Sequence, residues 1–386
     1  MSKLLEQINS ATRTSIKLAD AASRIGDGLH GTPIYDNQGE YYFINGNNLD
    51  NGYILIKKDT RKINYSEYLK HKKDLSERSL LLSINGTIGN LAKYRGEKCI
   101  LGKSAAYVNI KNDFQSDYFY YVLLDNRFKK HITNNASGST IKNVSLEQLR
   151  EYEVSVPDLP TQKKIAEILS AYDAKIENNN AIIKNLEAIT QTIFDEWFVN
   201  FHFPGYEKAK FVDSGMGEIP EGWEVKSVLD VIERISPGKK YENKTALPIG
   251  KVPILDQGAS GFIGYHNDEP GVMASINNPV VVFTNHTCYY RILTEPFSCI
   301  QNVLPYGGKN GYDTFFVYFL TKEKIKMSEY KGHWPEFEQQ IFVIPPINLT
   351  NQFSEKAKMI LEKMVLCEKE NIVLKETRDK LLAKLI

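Results

Sequence analysis

The chain has 386 residues, 42% of them hydrophobic and 25% charged, with a formal net charge of +1. That composition supplies cores for two or three domains, excludes a disordered tail, and offers no global charge from which to argue a nucleic-acid partner. No run reaches the ~18 apolar residues of a membrane span, no secretory pattern opens the chain, and four scattered cysteines without a Cys-x-x-Cys pair argue against structural zinc and fit a reducing cytoplasm.

In chain order, the first predicted element is a mixed domain over residues 1–156, with 22 Lys/Arg against 17 Asp/Glu. Short apolar runs at 80–84 and 107–110 read as strands broken by glycine-rich turns. Three turns, at 26–33, 85–90 and 136–142, combine glycine with small polar and basic residues. Glycine lets a backbone approach phosphate closely, and Ser, Thr, Asn, His and Lys supply donors. The candidate DNA contacts are Asp27, His30, Asn85, Thr87, Asn90, Ser137, Ser139, Thr140 and Lys142. Lys103 joins them. Its context, Gly96 to Gly102-Lys103-Ser104, has one residue too many between the glycines for a nucleotide-binding loop and reads as a turn presenting a lysine. Any one such loop is ordinarily just a turn; three in one domain point to an interface.

A long helix is predicted next, within 157–201. No Pro or Gly interrupts residues 161–198, and Ile165, Leu169, Tyr172, Ile176, Asn179, Ile183, Leu186, Thr190, Ile193 and Trp197 step by alternating four and three. That is the seven-residue repeat of a coiled-coil seam, over roughly 55 Å of helix. Residues 202–345 form a linker rich in Gly and Pro and then a second mixed domain, with 14 Lys/Arg against 17 Asp/Glu and strand-like runs at 280–284 and 342–344. Its candidate contacts are Lys239, Lys240, Tyr241, Gln257, Ser260, Lys331, His333 and Trp334; the amide of Gln257 suits adenine. A second seam follows within 346–386: Phe353, Ala357, Ile360, Met364, Cys367, Asn371, Leu374, Arg378, Leu381, Leu385. Thr161 and Thr350 are the expected N-caps. Laid antiparallel with Ile165 opposite Leu385, the two seams set Asn179 against Asn371, a polar pair able to fix register.

The chain thus reads as written twice. Leu18-Ala19-Asp20 returns as Val228-Leu229-Asp230, Ser83-Ile84-Asn85 as Ser275-Ile276-Asn277, and the aromatic run at 119–124 as that at 315–320. The fold class expected is α+β: two similar mixed domains separated by two long antiparallel helices in a pseudo-two-fold repeat. Motifs for adenine methylation, nucleotide binding, a nucleophile elbow or a His-x-x-x-His metal site are absent from the sequence, which favours a binding protein over an enzyme.

Residues 156–169, Val-Pro-Asp-Leu-Pro-Thr-Gln-Lys-Lys-Ile-Ala-Glu-Ile-Leu, together with 83–90, Gly138-Ser139-Thr140-Ile141-Lys142 and the Gly-Glu-Ile-Pro-Glu-Gly-Trp of 217–223, resemble the specificity subunit of type I restriction–modification enzymes. In the second half Asn277-Asn278-Pro279 stands where Asn-Gly-Thr is expected, and Gly332-His333-Trp334 replaces Gly-Ser-Thr. The resemblance implies a non-catalytic subunit. Each domain would read half of a split site on double-stranded DNA, and the helices would set the spacing. Two modification subunits would dock on the helices and bring S-adenosylmethionine; restriction subunits would bring ATP and Mg. An alternative is a non-catalytic coiled-coil assembly protein whose mixed domains bind protein partners.

Overall fold

The computed structural model describes residues 2–134, 136, 142–258, 261–329 and 331–386. The chain divides into two compact units: residues 1–178 with 370–386, and residues 179–369. The same plan builds both.

In the first unit, β1 (Arg13–Lys17) leads through a one-turn helix, α1 (Leu18–Ala21), into β2 (Ala22–Asp27). The Asp20 carboxylate accepts from the backbone N–H of Lys17 at 2.9 Å, which closes the helix start and fixes the corner between the two strands. Next come β3 (Tyr41–Ile44), β4 (Lys62–Ile63), β5 (Ser79–Ser83), β6 (Leu91–Lys93), β7 (Cys99–Leu101) and β8 (Ala105–Ile110). The main sheet is antiparallel in the order β2-β8-β5-β6, and a smaller sheet runs β4-β3-β7 with β3 and β7 parallel. Every residue of β5, Ser-Leu-Leu-Leu-Ser, is buried, so this strand is covered on both faces and reads as a continuous run rather than an alternation. One face is covered by α2 (Ser116–Leu124), where Phe119, Tyr121, Val122 and Leu123 are fully buried. Then β9 (Glu153–Pro157) pairs back onto β1 and delivers the chain to α3 (Leu159–Phe198).

The second unit repeats this as β10 (Glu224–Ser227), α4 (Val228–Val231), β11 (Ile232–Arg234), β12 (Val252–Leu255), β13 (Phe262–His266), β14 (Val280–Thr284), β15 (Tyr290–Leu293), β16 (Ser298–Cys299), β17 (Val303–Gly308), α5 (Thr314–Thr321), β18 (Ile341–Ile344) and α6 (Ile347–Leu385). The sheets are β11-β17-β14-β15 and β13-β12-β16, the latter with one parallel pair, and β18 returns to β10 as β9 does to β1. Asp230 closes α4 on the N–H of Ser227, as Asp20 closes α1.

Each unit holds its own stretch of both long helices, packed antiparallel. In the first, Ile165, Ala166 and Leu169 of α3 share a core with Leu382 and Leu385 of α6. Asp173 Oδ1 lies 2.6 Å from Arg378 Nη1, and Lys175 Nζ lies 3.4 Å from Glu370. Arg13 of β1 caps the end of α6 by donating to the carbonyls of Leu385 and Ile386 at 2.7 and 3.1 Å. In the second unit Phe194 and Phe198 of α3 pack edge-on against Phe353 of α6, and Thr190 faces the same small cavity as Ile360 and Met364. None of the ten expected seam positions on either helix is exposed.

The helix starts differ from expectation. Both helices begin before the predicted caps. Asp158, not Thr161, caps α3: its Oδ1 accepts from Thr161 N–H at 3.0 Å, and hydrogen bonds from the side chain and backbone of Thr161 hold its carboxyl below the usual range. Thr350 lies inside α6, its hydroxyl donating to the Ile347 carbonyl at 2.8 Å. A carboxylate one residue before the first turn out-competes a threonine inside it for the free N–H groups.

Candidate nucleic-acid interface

Antiparallel pairing determines which loops meet. In the first unit the last residues of β2 and β5 flank the first residues of β8: Asp27 opposes Ala106 and Ser83 opposes Ala105. The segments beyond those strand ends are therefore neighbours. The Leu29 N–H donates to the Leu101 carbonyl at 2.7 Å, bringing the 28–33 loop to the Gly102–Ser104 turn. Ile84 N–H donates to the Ser104 carbonyl at 3.0 Å, adding the 84–90 loop; Gly86 N–H donates to Lys142 O and Val144 N–H to Ile84 O, adding residues 142–144. Asp27, His30, Asn85, Thr87, Asn90, Lys103 and Lys142, scattered over 116 positions of sequence, thus lie along one sheet edge. His30, Thr87, Lys103 and Lys142 are exposed, and His30 Nε2 sits 2.5 Å from Asp27 Oδ2. Ser137, Ser139 and Thr140 lie outside the described residues.

Two local devices shape this edge. The Ser83 hydroxyl, fully buried, accepts from Asn90 N–H at 2.8 Å and pins the base of the hairpin, while Gly86 and Gly89 take the left-handed φ values of +76° and +92° that its tip needs. Gly28 is glycine for a different reason from the one the sequence suggested: a Cβ there would collide with the backbone of Leu101 and Gly102. Its missing side chain is used by the protein itself, not by an approaching phosphate. Sequence reasoning also missed Asn45 and Asn47. Gly102 N–H donates to Ile44 O, and Asn45 Oδ1 accepts from the Ser104 hydroxyl at 3.0 Å, so the turn after β3 joins the same edge. Asn47 is exposed there, and Lys57 Nζ donates to its carbonyl at 2.6 Å.

The second unit builds the matching edge. Tyr241 N–H donates to Cys299 O, Asn285 N–H to Asn302 O at 2.9 Å, and His286 N–H to Gln257 Oε1 at 3.1 Å. Between them lies an open groove of about 500 Å³, lined among others by Asn243, Lys244, Gln257, Gln301 and Asn302. Gln301 and Asn302 stand where Lys103 and Ser104 stand in the first unit. Lys239 is exposed beside Asp268 at 2.9 Å, which raises the lysine's pKa and lowers that of the carboxyl; Lys240 is exposed. Ser260 lies outside the described residues.

Three second-unit candidates are withdrawn from direct contact. Tyr241 is 6% exposed, stacked on His266 at 4.1 Å between centroids, with its hydroxyl on Asp268 at 3.0 Å. His333 is fully buried, with Nδ1 2.9 Å from Glu336 and Nε2 3.1 Å from the Glu329 carbonyl. Trp334 is buried and its indole N–H donates to Glu338 at 2.6 Å. Each has its polar atoms occupied, so none has a donor to offer a base. Lys331 is held by Glu329 and Glu336 at 2.8 and 2.9 Å, which push its pKa up.

Two repeat correspondences are also corrected. Residues 275–278 form a turn before β14, not the loop after it. The partner of Ser83 is Thr284, whose hydroxyl accepts from Tyr289 N–H at 2.8 Å just as Ser83 accepts from Asn90, so the loop matching Asn85-Gly86-Thr87 follows Thr284. Likewise His333 N–H donates to Asn285 O at 2.8 Å where Val144 N–H donates to Ile84 O; His333 occupies the place of a buried valine, not of Ser139.

Each unit thus carries the same loop-bearing sheet edge beside its own stretch of the two long helices. Residues 32–188 match the family described as the type I restriction modification DNA specificity domain. Over its length the chain is 26% identical to the MjaIX specificity subunit of Methanocaldococcus jannaschii, covering 86% of this chain and 83% of that one. It is 32% identical to the HindI specificity subunit of Haemophilus influenzae across 34% of this chain and 27% of that one. The crystal structure of a type I system S subunit from M. genitalium shares the fold: TM-score 0.56 at 17% identity, over 98% and 97% of the two chains. The chain is related along its length to the specificity subunits of type I restriction–modification systems, as residues 156–169 suggested.

Proposed function

We propose that this chain is the sequence-reading, non-catalytic subunit of a type I restriction–modification complex, each unit reading one half of a bipartite site on duplex DNA. What supports this most is the duplicated edge: identical sheet orders deliver polar loops to one rim in each unit, and each unit carries its own stretch of α3 and α6. Duplex recognition needs phosphate donors beside groups that reach base edges, and the first edge offers both in Lys103, Lys142, Asn85 and Thr87. In this reading residues 1–156 and 202–345 are the two recognition domains, and residues 157–201 and 346–386 are spacers that set the half-site separation. Two modification subunits dock on the helices and carry the S-adenosylmethionine chemistry; restriction subunits add ATP-driven cleavage.

Methylome sequencing of cells carrying this chain and its modification subunit tests the reading. Asn85→Ala or Thr87→Ala is expected to relax methylation at bases of one half-site and leave the other half intact. Unchanged motifs in both variants would overturn the assignment of this edge.

A further inference from the structure

The two edges differ in a respect that their shared topology does not require. On the first, Lys57, Lys103 and Lys142 are exposed, and none makes an ion pair among the described residues. On the second, Lys239 is paired with Asp268 at 2.9 Å, Lys244 with Glu242 at 2.7 Å, and Lys331 with Glu329 and Glu336. Lys240, exposed beside Lys239, makes no ion pair among the described residues. Composition runs the same way, with 22 Lys/Arg against 17 Asp/Glu in residues 1–156 and 14 against 17 in 202–345.

Salt-dependent DNA affinity comes from cations that replace counterions on phosphates. An exposed ion pair is itself weak, worth at most about 1 kcal/mol, so its lysine could swing to a phosphate. The carboxylate it leaves would then face the same phosphate, and the local charge would still sum to zero at Lys239 and Lys244 and to −1 at Lys331 with its two glutamates. Such an edge releases few counterions whichever partner the lysine takes. What the second edge offers instead is uncharged: the side-chain amides of Asn243, Gln257, Gln301 and Asn302 around one groove. Gln257 is held in place through its Oε1, and amides suit base edges, adenine above all.

We propose that the two edges divide the work. The first anchors the duplex through phosphates and supplies most of the salt-dependent affinity. The second is electrostatically quiet and contributes selection through the amides of its groove. This division rests on the DNA-recognition reading above.

Salt titration of binding to a mixed-sequence duplex, using the complex of the full chain with its modification subunit, tests it. Each phosphate that a side chain no longer neutralises lowers the slope of log affinity against log salt by ~0.9. Lys103→Ala and Lys142→Ala are each expected to lower the slope by about that amount, and Lys239→Ala and Lys331→Ala to leave it unchanged. Glu242→Gln, which frees Lys244, is expected to raise it. Gln301→Ala is expected to relax methylation at one half-site without changing the slope. Equal reductions in slope on both edges, with Glu242→Gln inert, would overturn the division and leave DNA recognition standing. Binding by the unsubstituted complex that ignores salt would overturn both.

Discussion

Asp173 joins the helix pair to the first domain, and its removal has a calculable cost. Its Oδ1 takes the guanidinium of Arg378 on α6 at 2.6 Å, and its Oδ2 accepts from the hydroxyl of Tyr121 on α2 at 2.6 Å. Tyr121 is fully buried and the Arg378 side chain only 13% exposed. Asp173→Ala strands both partners. Leaving one member of a buried ion pair alone costs roughly 3–5 kcal/mol, and an unpartnered buried hydroxyl about 1–3. Two features reduce this: Asp173 is itself 30% exposed, and Asp379 still holds Arg378 Nη2 at 2.7 Å. A net loss of about 2–3 kcal/mol is expected, roughly 5–10 °C in the midpoint for a unit of this size. Thermal unfolding of the assembled complex reads it. Asp173→Ala with Arg378→Met should recover much of the loss, because no buried charge is then left unpaired. A loss below about 0.5 kcal/mol, or additive single and double variants, would refute the claim that this cluster ties the domain to its helices.

Ser83→Ala and Thr284→Ala each remove the acceptor that pins a hairpin, at about 1–2 kcal/mol, and each should blur only its own half-site in methylome data; a loss spread over both halves would contradict the local role. Acidification should destabilise the second unit first. His266 is buried, takes the N–H of Asp268 on Nδ1 at 3.1 Å and donates from Nε2 to Ser298 at 2.9 Å, and burial lowers its pKa below the usual 6.5. The unfolded chain therefore binds the proton more readily than the folded one. The histidine's contribution is complete above pH ~6.5 and is lost as pH falls through that value toward the lowered one. Denaturant titrations at pH 7 and 5.5 should show a drop in stability that His266→Gln lacks; equal drops would count against it. The carboxylates of Asp268 and Glu336, held low by Lys239 and by His333 respectively, lose their contribution only in more acid solution. Four residues inserted within 177–184 shift the seam by more than a helical turn and should alter the methylated spacer length or abolish assembly; unchanged spacing and assembly would refute helix-set spacing.

How far the sequence could be read depended on the range of the interaction. The helices were legible because a heptad is local, and positions such as Leu169, Met364 and Leu385 follow directly from it. The repeat was legible where a short cap made it, as at Asp20 and Asp230. It misled where identical letters did different work: Ser275-Ile276-Asn277 imitates Ser83-Ile84-Asn85 in type, yet the geometry of Ser83 is reproduced by Thr284, a different residue with the same hydroxyl. Tyr241, His333 and Trp334 looked like surface groups because they neighbour glycines and lysines. Their burial depends on His266 for Tyr241 and on Asn285 for His333 and Trp334, partners that only the fold brings close. The pairing of Lys239 with Asp268, 29 positions away, leaves no periodic trace, so the net charges of the two domains carried the sign of the electrostatic contrast but not the ion pairs that make it.

The central claim is that one chain reads two half-sites independently. Replacing residues 1–156 with the corresponding domain of a relative of different specificity, and sequencing the methylome, tests it most directly. One half of the methylated motif should change while the other half and the spacer stay as they were. A motif altered in both halves, or in neither, would contradict the account.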